Sequence, residues 1–171
     1  MSSLRSLLAV SALVALCSCN GLSIDHYIER EYTVDVPAGG DTAVETLKTL
    51  SLAEVEEFKS QLSLIQEVTV PDVQLSVSNV TSTNATTKVS GQVLVMANES
   101  SEAVLLADYK DLPVTDGGKL QLDLDVAPQR KVLAPILKGA SAKVKFTGNL
   151  DAVPAQFKVK ARIHVVAVVG L

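Results

Sequence analysis

The chain has 171 residues, of which 47% are hydrophobic, 20% charged and only 4% aromatic, and its formal net charge is −4. The apolar share excludes a disordered tail and supplies a core that must come from Val, Leu, Ile and Ala rather than from rings. Net acidity without interleaved aromatic residues argues against a nucleic-acid partner, and the length fits one domain.

The chain opens with one cation, Arg5, an apolar run from Leu7 to Leu16, and then Leu16-Cys17-Ser18-Cys19. About ten apolar residues span only ~15 Å as a helix, half of a bilayer core, so this layout predicts an export signal and not a spanning segment. Leu16-Cys17-Ser18-Cys19 resembles the lipobox of bacterial lipoprotein precursors: an aliphatic residue, a tolerated small residue, a small residue, then the acceptor cysteine. The resemblance covers the first twenty residues. It implies that residues 1–18 are a signal peptide and that Cys19 becomes the lipidated N-terminus, carrying a diacylglycerol and a third acyl chain. Cys17 as acceptor would put the bulky Leu16 before the cut, where the family has Gly, Ala or Ser. An ordinary soluble secreted protein is the alternative from the same layout. Asn20-Gly21-Leu22-Ser23 follows with no aspartate after the acceptor and no acidic run. By the same resemblance, the address in a Gram-negative host is the outer membrane, facing the periplasm.

Both cysteines lie in this leader, so the domain from Asn20 onward folds without disulfides, and about 150 residues are enough for a core without them. Residues 19–25 are expected to be a short lipidated tether, holding the domain within ~20 Å of the lipid surface. The sequons at Asn79, Asn84 and Asn98 would suggest glycosylation in a eukaryotic secreted protein and read as turn chemistry in a bacterial one.

From residue 26 to 171 the pattern predicts a single mainly β domain. Strands are expected at His26–Val36, Val68–Val80, Thr87–Ala97, Ala103–Tyr109, Leu120–Val126, Ala142–Leu150 and Phe157–Val169. The clearest alternations are Leu120-Gln-Leu-Asp-Leu-Asp-Val126 and Phe157 to Val165, where apolar and polar side chains take opposite faces. Pro71 predicts an edge, a bulge or a break in the second strand. Asn98–Ser101 and Asp116-Gly117-Gly118 supply turns, and Pro37-Ala38-Gly39-Gly40 a loop. Ser51-Leu52-Ala53-Glu54 reads as a capping box before an apolar face of Leu52, Val55, Phe58 and Leu62. Pro128–Lys138 reads as a second helical segment split by Pro135. The expected architecture is an antiparallel β-sandwich of about seven strands, with one or two short helices over an end or edge.

Catalytic material is sparse. His26 and His164 both fall in alternating sequence and read as surface strand residues, so no metal and no cofactor is assigned. No Gly-x-Ser-x-Gly elbow occurs, Asp123 and Asp125 are explained by a solvated strand face, and neither Gly-Gly pair is followed by the Lys-Ser/Thr of a phosphate loop. Charge is more informative. Residues 20–67 hold ten acids and three bases, residues 68–128 eight and three, and residues 129–171 one acid and eight bases. Lys143 and Lys145 share one strand face, and Lys158, Lys160 and Arg162 another. These five are the candidate contacts for an anionic envelope component or an envelope protein, or else are simply solvated or the cross-strand partners of acids such as Asp123 and Asp125. The functional expectation is a lipid-anchored binding or scaffold module of the cell envelope that is not an enzyme. The alternatives are an envelope hydrolase with a fold-assembled site and a carrier enclosing an apolar ligand.

Overall fold

In the computed structural model, residues 22–81 and 87–170 are described. The longest alternation makes the central strand. β9 (Ala155–Val169) buries every second residue from Ala155 to Val169 and turns Gln156, Lys158, Lys160, Arg162 and His164 outward. On one side β1 (Leu22–Val36) pairs with it antiparallel along its whole length. On the other side β3 (Ile65–Thr69) and β4 (Asp72–Ser78) pair with successive halves of it, and β7 (Lys119–Asp123) lies beyond β4. The second sheet has the order β2 (Ala43–Thr49), β8 (Lys143–Leu150), β5 (Lys88–Met96), β6 (Val104–Pro113), again antiparallel throughout. The molecule is an antiparallel β-sandwich, as the alternation predicts.

The core fills the space between the inner faces. Val159, Ile163, Val73 and Leu75 come from the first sheet, and Val144, Val93 and Val95 from the second, all buried. With few rings available, one aromatic cluster spans the gap: Phe146 of β8 stacks on Tyr32 of β1 at 5.6 Å and on Tyr109 of β6 at 5.1 Å. Tyr109 lies over Gly148, where an added Cβ would come within 2.8 Å of its hydroxyl and 2.6 Å of Val89. That hydroxyl donates to the Thr147 carbonyl at 2.6 Å. A glycine is required there because the ring occupies the place of a side chain.

Nine strands are found where seven are expected among the described residues. β2 is absent from the expected set because its alternation is broken: Thr46 lies opposite the inward Phe146, and Leu47 opposite the outward Lys145. The expected strand at Val68–Val80 is two strands, and Pro71 is the reason. The register with β9 shifts by one residue between Thr69↔Val166 and Val73↔Ile163. The Gln129 side chain occupies the gap, accepting from the Val70 N–H at 2.6 Å and donating to the Val70 carbonyl at 3.2 Å. The last expected residues of the β7 strand, Leu124–Val126, lie outside it, although the Leu124 N–H still donates to the Pro71 carbonyl at 2.8 Å.

The short helices also differ in detail. Ser51 does cap the turn Leu52–Glu54 by accepting from the Ala53 N–H at 3.2 Å. Glu54 does not return to Ser51; its carboxylate goes instead to Arg30 at 2.9 Å. After α1 (Glu56–Lys59), Leu52 and Phe58 are buried, with Val55 and Leu62 packed against the core, so the apolar face stands without a continuous helix. Pro135 does not split a helix: α2 is only Leu133–Leu137, and Pro135 sits in its first turn, where its missing N–H costs no helical bond. Residues 22–25 are not tether but the first four residues of β1, paired with Val166–Val169. Cys19 lies outside the described residues.

Candidate functional site

The outer face of the five-stranded sheet is built by register. Two adjacent rows cross its strands. In one, Glu29 of β1 lies opposite Arg162 of β9, then Gln74 of β4 and Gln121 of β7; in the next, Glu31, Lys160, Ser76 and Lys119 follow in the same order. Each is a polar position of an alternating strand, so the pleat alone turns them to one side.

Ion pairs on this face run diagonally from the basic strand to the acidic one. Lys158 pairs with Glu31 and Lys160 with Glu29, each at 2.6 Å. Arg162 lies with its guanidinium carbon 4.0 Å from the Tyr27 ring centroid, a cation–π contact. Among the described residues neither Arg162 nor Lys119 pairs with a carboxylate. A shallow open depression of about 320 Å³ lies among Glu29, Gln74, Ser76, Lys119, Lys160 and Arg162.

One end of the face carries a tighter cluster. His164 is held between two carboxylates, Nδ1 at 2.6 Å from Asp72 and Nε2 at 2.8 Å from Asp25, and its ring stacks on Tyr27 at 4.4 Å. Burial pulls its pKa down, but the hydrogen bonds and charges of Asp72 and Asp25 outweigh that, and the net shift is upward. The imidazolium is therefore favoured, donating to both acids. The two carboxylates engage opposite ring nitrogens and so do not converge on one point as metal ligands would. Among the described residues no group of three His, Cys, Asp or Glu side chains is placed to hold a metal ion.

The five predicted cations do not form one surface. Lys158, Lys160 and Arg162 are on this face, while Lys143 and Lys145 are on β8 in the other sheet. There Lys145 pairs with Glu45 at 2.6 Å and Lys143 donates to the Thr49 hydroxyl at 3.1 Å. Their acids come from β1 and β2, not from Asp123 or Asp125. Neither histidine is an ordinary surface residue. His164 keeps only 16% of its side chain exposed, and His26 lies on the inner side of β1 with its ring edge-on to Phe58 at 6.0 Å. Of the sequons, Asn79 takes a left-handed φ of 55° and the Asn98 side chain accepts from the Ser100 N–H at 2.9 Å, both as turn residues. Asn84 lies outside the described residues.

The sequence matches no protein-family model and no curated protein. Among solved structures, the chain is similar to one of turnip yellow mosaic virus at 11% identity and a TM-score of 0.39, over 88% of this chain and 96% of that one. It is also similar to the decameric BFDV capsid protein at 11% identity and a TM-score of 0.42, over 85% of this chain and 99% of that one.

Proposed function

We propose that the chain is a lipid-anchored binding module of a bacterial cell envelope, held by Cys19 and presenting the outer face of its five-stranded sheet. In a Gram-negative host it sits on the outer membrane and faces the periplasm, since no aspartate follows Cys19. The observation that carries this reading is at the end of the sheet where β1 begins. Leu22 follows Cys19 by only three positions, about 10 Å of extended chain. Leu22 lies opposite Val169, and the Leu64 carbonyl accepts from the Gly170 N–H, so both leucines flank the end of β9. They remain 60% and 48% exposed. An apolar rim beside an acylated cysteine adds buried area to the acyl chains at a lipid surface.

Metabolic labelling with an alkyne palmitate tests the anchor. Cys17→Ala is expected to keep the label and Cys19→Ala to lose it. Label retained on Cys19→Ala would contradict the reading.

A further inference from the structure

We propose that the depression over Ser76 binds the anionic groups of an acidic polysaccharide, an assignment that gives the envelope-binding reading above its ligand class. The depression exists because a short side chain sits among long ones. Ser76 lies on β4 directly opposite Lys160 on one neighbouring strand and Lys119 on the other. At the usual strand spacing those lysine backbones stand about 10 Å apart, with only a hydroxyl between them. Arg162 and the Gln74–Gln121 pair stand in the adjacent row, about 7 Å along the strands. An anion over Ser76 meets one hydroxyl and Lys119, which has no carboxylate partner among the described residues; Lys160 and Arg162 also line the depression but are held on its β1 side, Lys160 by Glu29, itself a lining residue, and Arg162 over the Tyr27 ring.

The neighbouring groups favour a hydroxylated ligand. The Gln74 and Gln121 amides donate weakly to Asp72 at 3.5 Å and Asp123 at 3.3 Å, which leaves their carbonyl oxygens to accept from sugar hydroxyls. A protein partner needs an apolar centre to its interface. Leu75 and Leu120 also line the depression, but Leu75 is buried and Leu120 packs against the core, and the large exposed apolar residues, Leu22, Leu64, Leu105 and Val132, lie elsewhere. Lipid headgroups of the anchoring membrane are out of reach. Lys160 is nine residues along β9 from Val169, about 30 Å from the end of the sheet that adjoins the anchor. A polymer extending away from the membrane reaches it.

The test titrates the full lipidated chain in detergent micelles with polygalacturonate, phosphomannan, neutral dextran, polyglutamate, inorganic phosphate and phosphatidylglycerol vesicles. Polygalacturonate or phosphomannan is expected to bind and dextran not, the stronger of the two telling carboxylate from phosphate as the group recognised. Ser76→Glu and Lys119→Glu should each weaken binding about tenfold or more, with the β-sheet circular dichroism unchanged. Lys131→Glu, the same charge change on an exposed turn, should alter it less than about twofold. Cys19→Ala should keep full polymer binding while losing its lipid, so loss of the anchor and loss of the site read out separately. The proposal is overturned if neither acidic polysaccharide binds, or if Ser76→Glu and Lys119→Glu bind as the parent does. It is equally overturned if polyglutamate, inorganic phosphate or the vesicles bind as tightly as the better polysaccharide.

Discussion

His164 illustrates how a side chain changes character between sequence and fold. In the sequence it alternates with Lys158, Lys160 and Arg162 and has the look of one more solvated cation. Its two carboxylates are 139 and 92 positions away, on strands either side of β9, so only the pairing of β1 and β4 with β9 brings them to it. Protonated, the ring ties three strands together. Because its folded pKa is raised above the ordinary value of about 6.5, this contribution to stability is complete below that value and is lost as pH rises through the folded pKa. Urea midpoints measured from about pH 5 to 9 should therefore fall across that window in the parent protein and fall less in His164→Gln. Parallel curves for the two proteins would show that the cluster does not couple titration to folding.

Among elements, the join between β3 and β4 shows a repair of local chemistry by a distant residue. Pro71 interrupts the ladder, and Gln129 satisfies both backbone groups of the buried Val70. Gln129→Ala leaves a buried donor and a buried acceptor unpaired, at about 1–3 kcal/mol each. The expected result is a loss of a few kcal/mol in urea unfolding with an unchanged β signal; a variant as stable as the parent would mean that another group replaces the amide. The break was legible at Pro71, but its partner was not, since nothing near Gln129 marks it as bonding 59 positions back. Strands with unbroken alternation, above all β8 and β9, could be read directly because their period maps onto one buried face. β2 could not, because Thr46 and Leu47 exchange the expected faces and its place depends on β8. The capping box was half legible: Ser51 caps locally, whereas Glu54 is taken by Arg30, 24 positions earlier.

For the whole molecule, the sequence-level charge asymmetry becomes a pairing rule. The acidic N-terminal strands β1 and β2 lie beside the basic C-terminal strands β9 and β8, and Glu29, Glu31 and Glu45 meet Lys160, Lys158 and Lys145. Exposed pairs of this kind contribute about 0–1 kcal/mol each, so their larger role is to favour one register over its neighbours. Among the described residues, Lys119 and Arg162 on the outer face pair with no carboxylate, and both line the depression over Ser76. The face serves an envelope only if the chain is tethered to one, which makes the N-terminus the decisive point. The intact mass of the mature N-terminal peptide, purified from bacterial membranes, measures it directly. The expected peptide begins at Cys19, with residues 1–18 removed and diacylglycerol on its sulfur. An unmodified N-terminus at any other residue would contradict it, and an acylated Cys17 would move the anchor while keeping its kind.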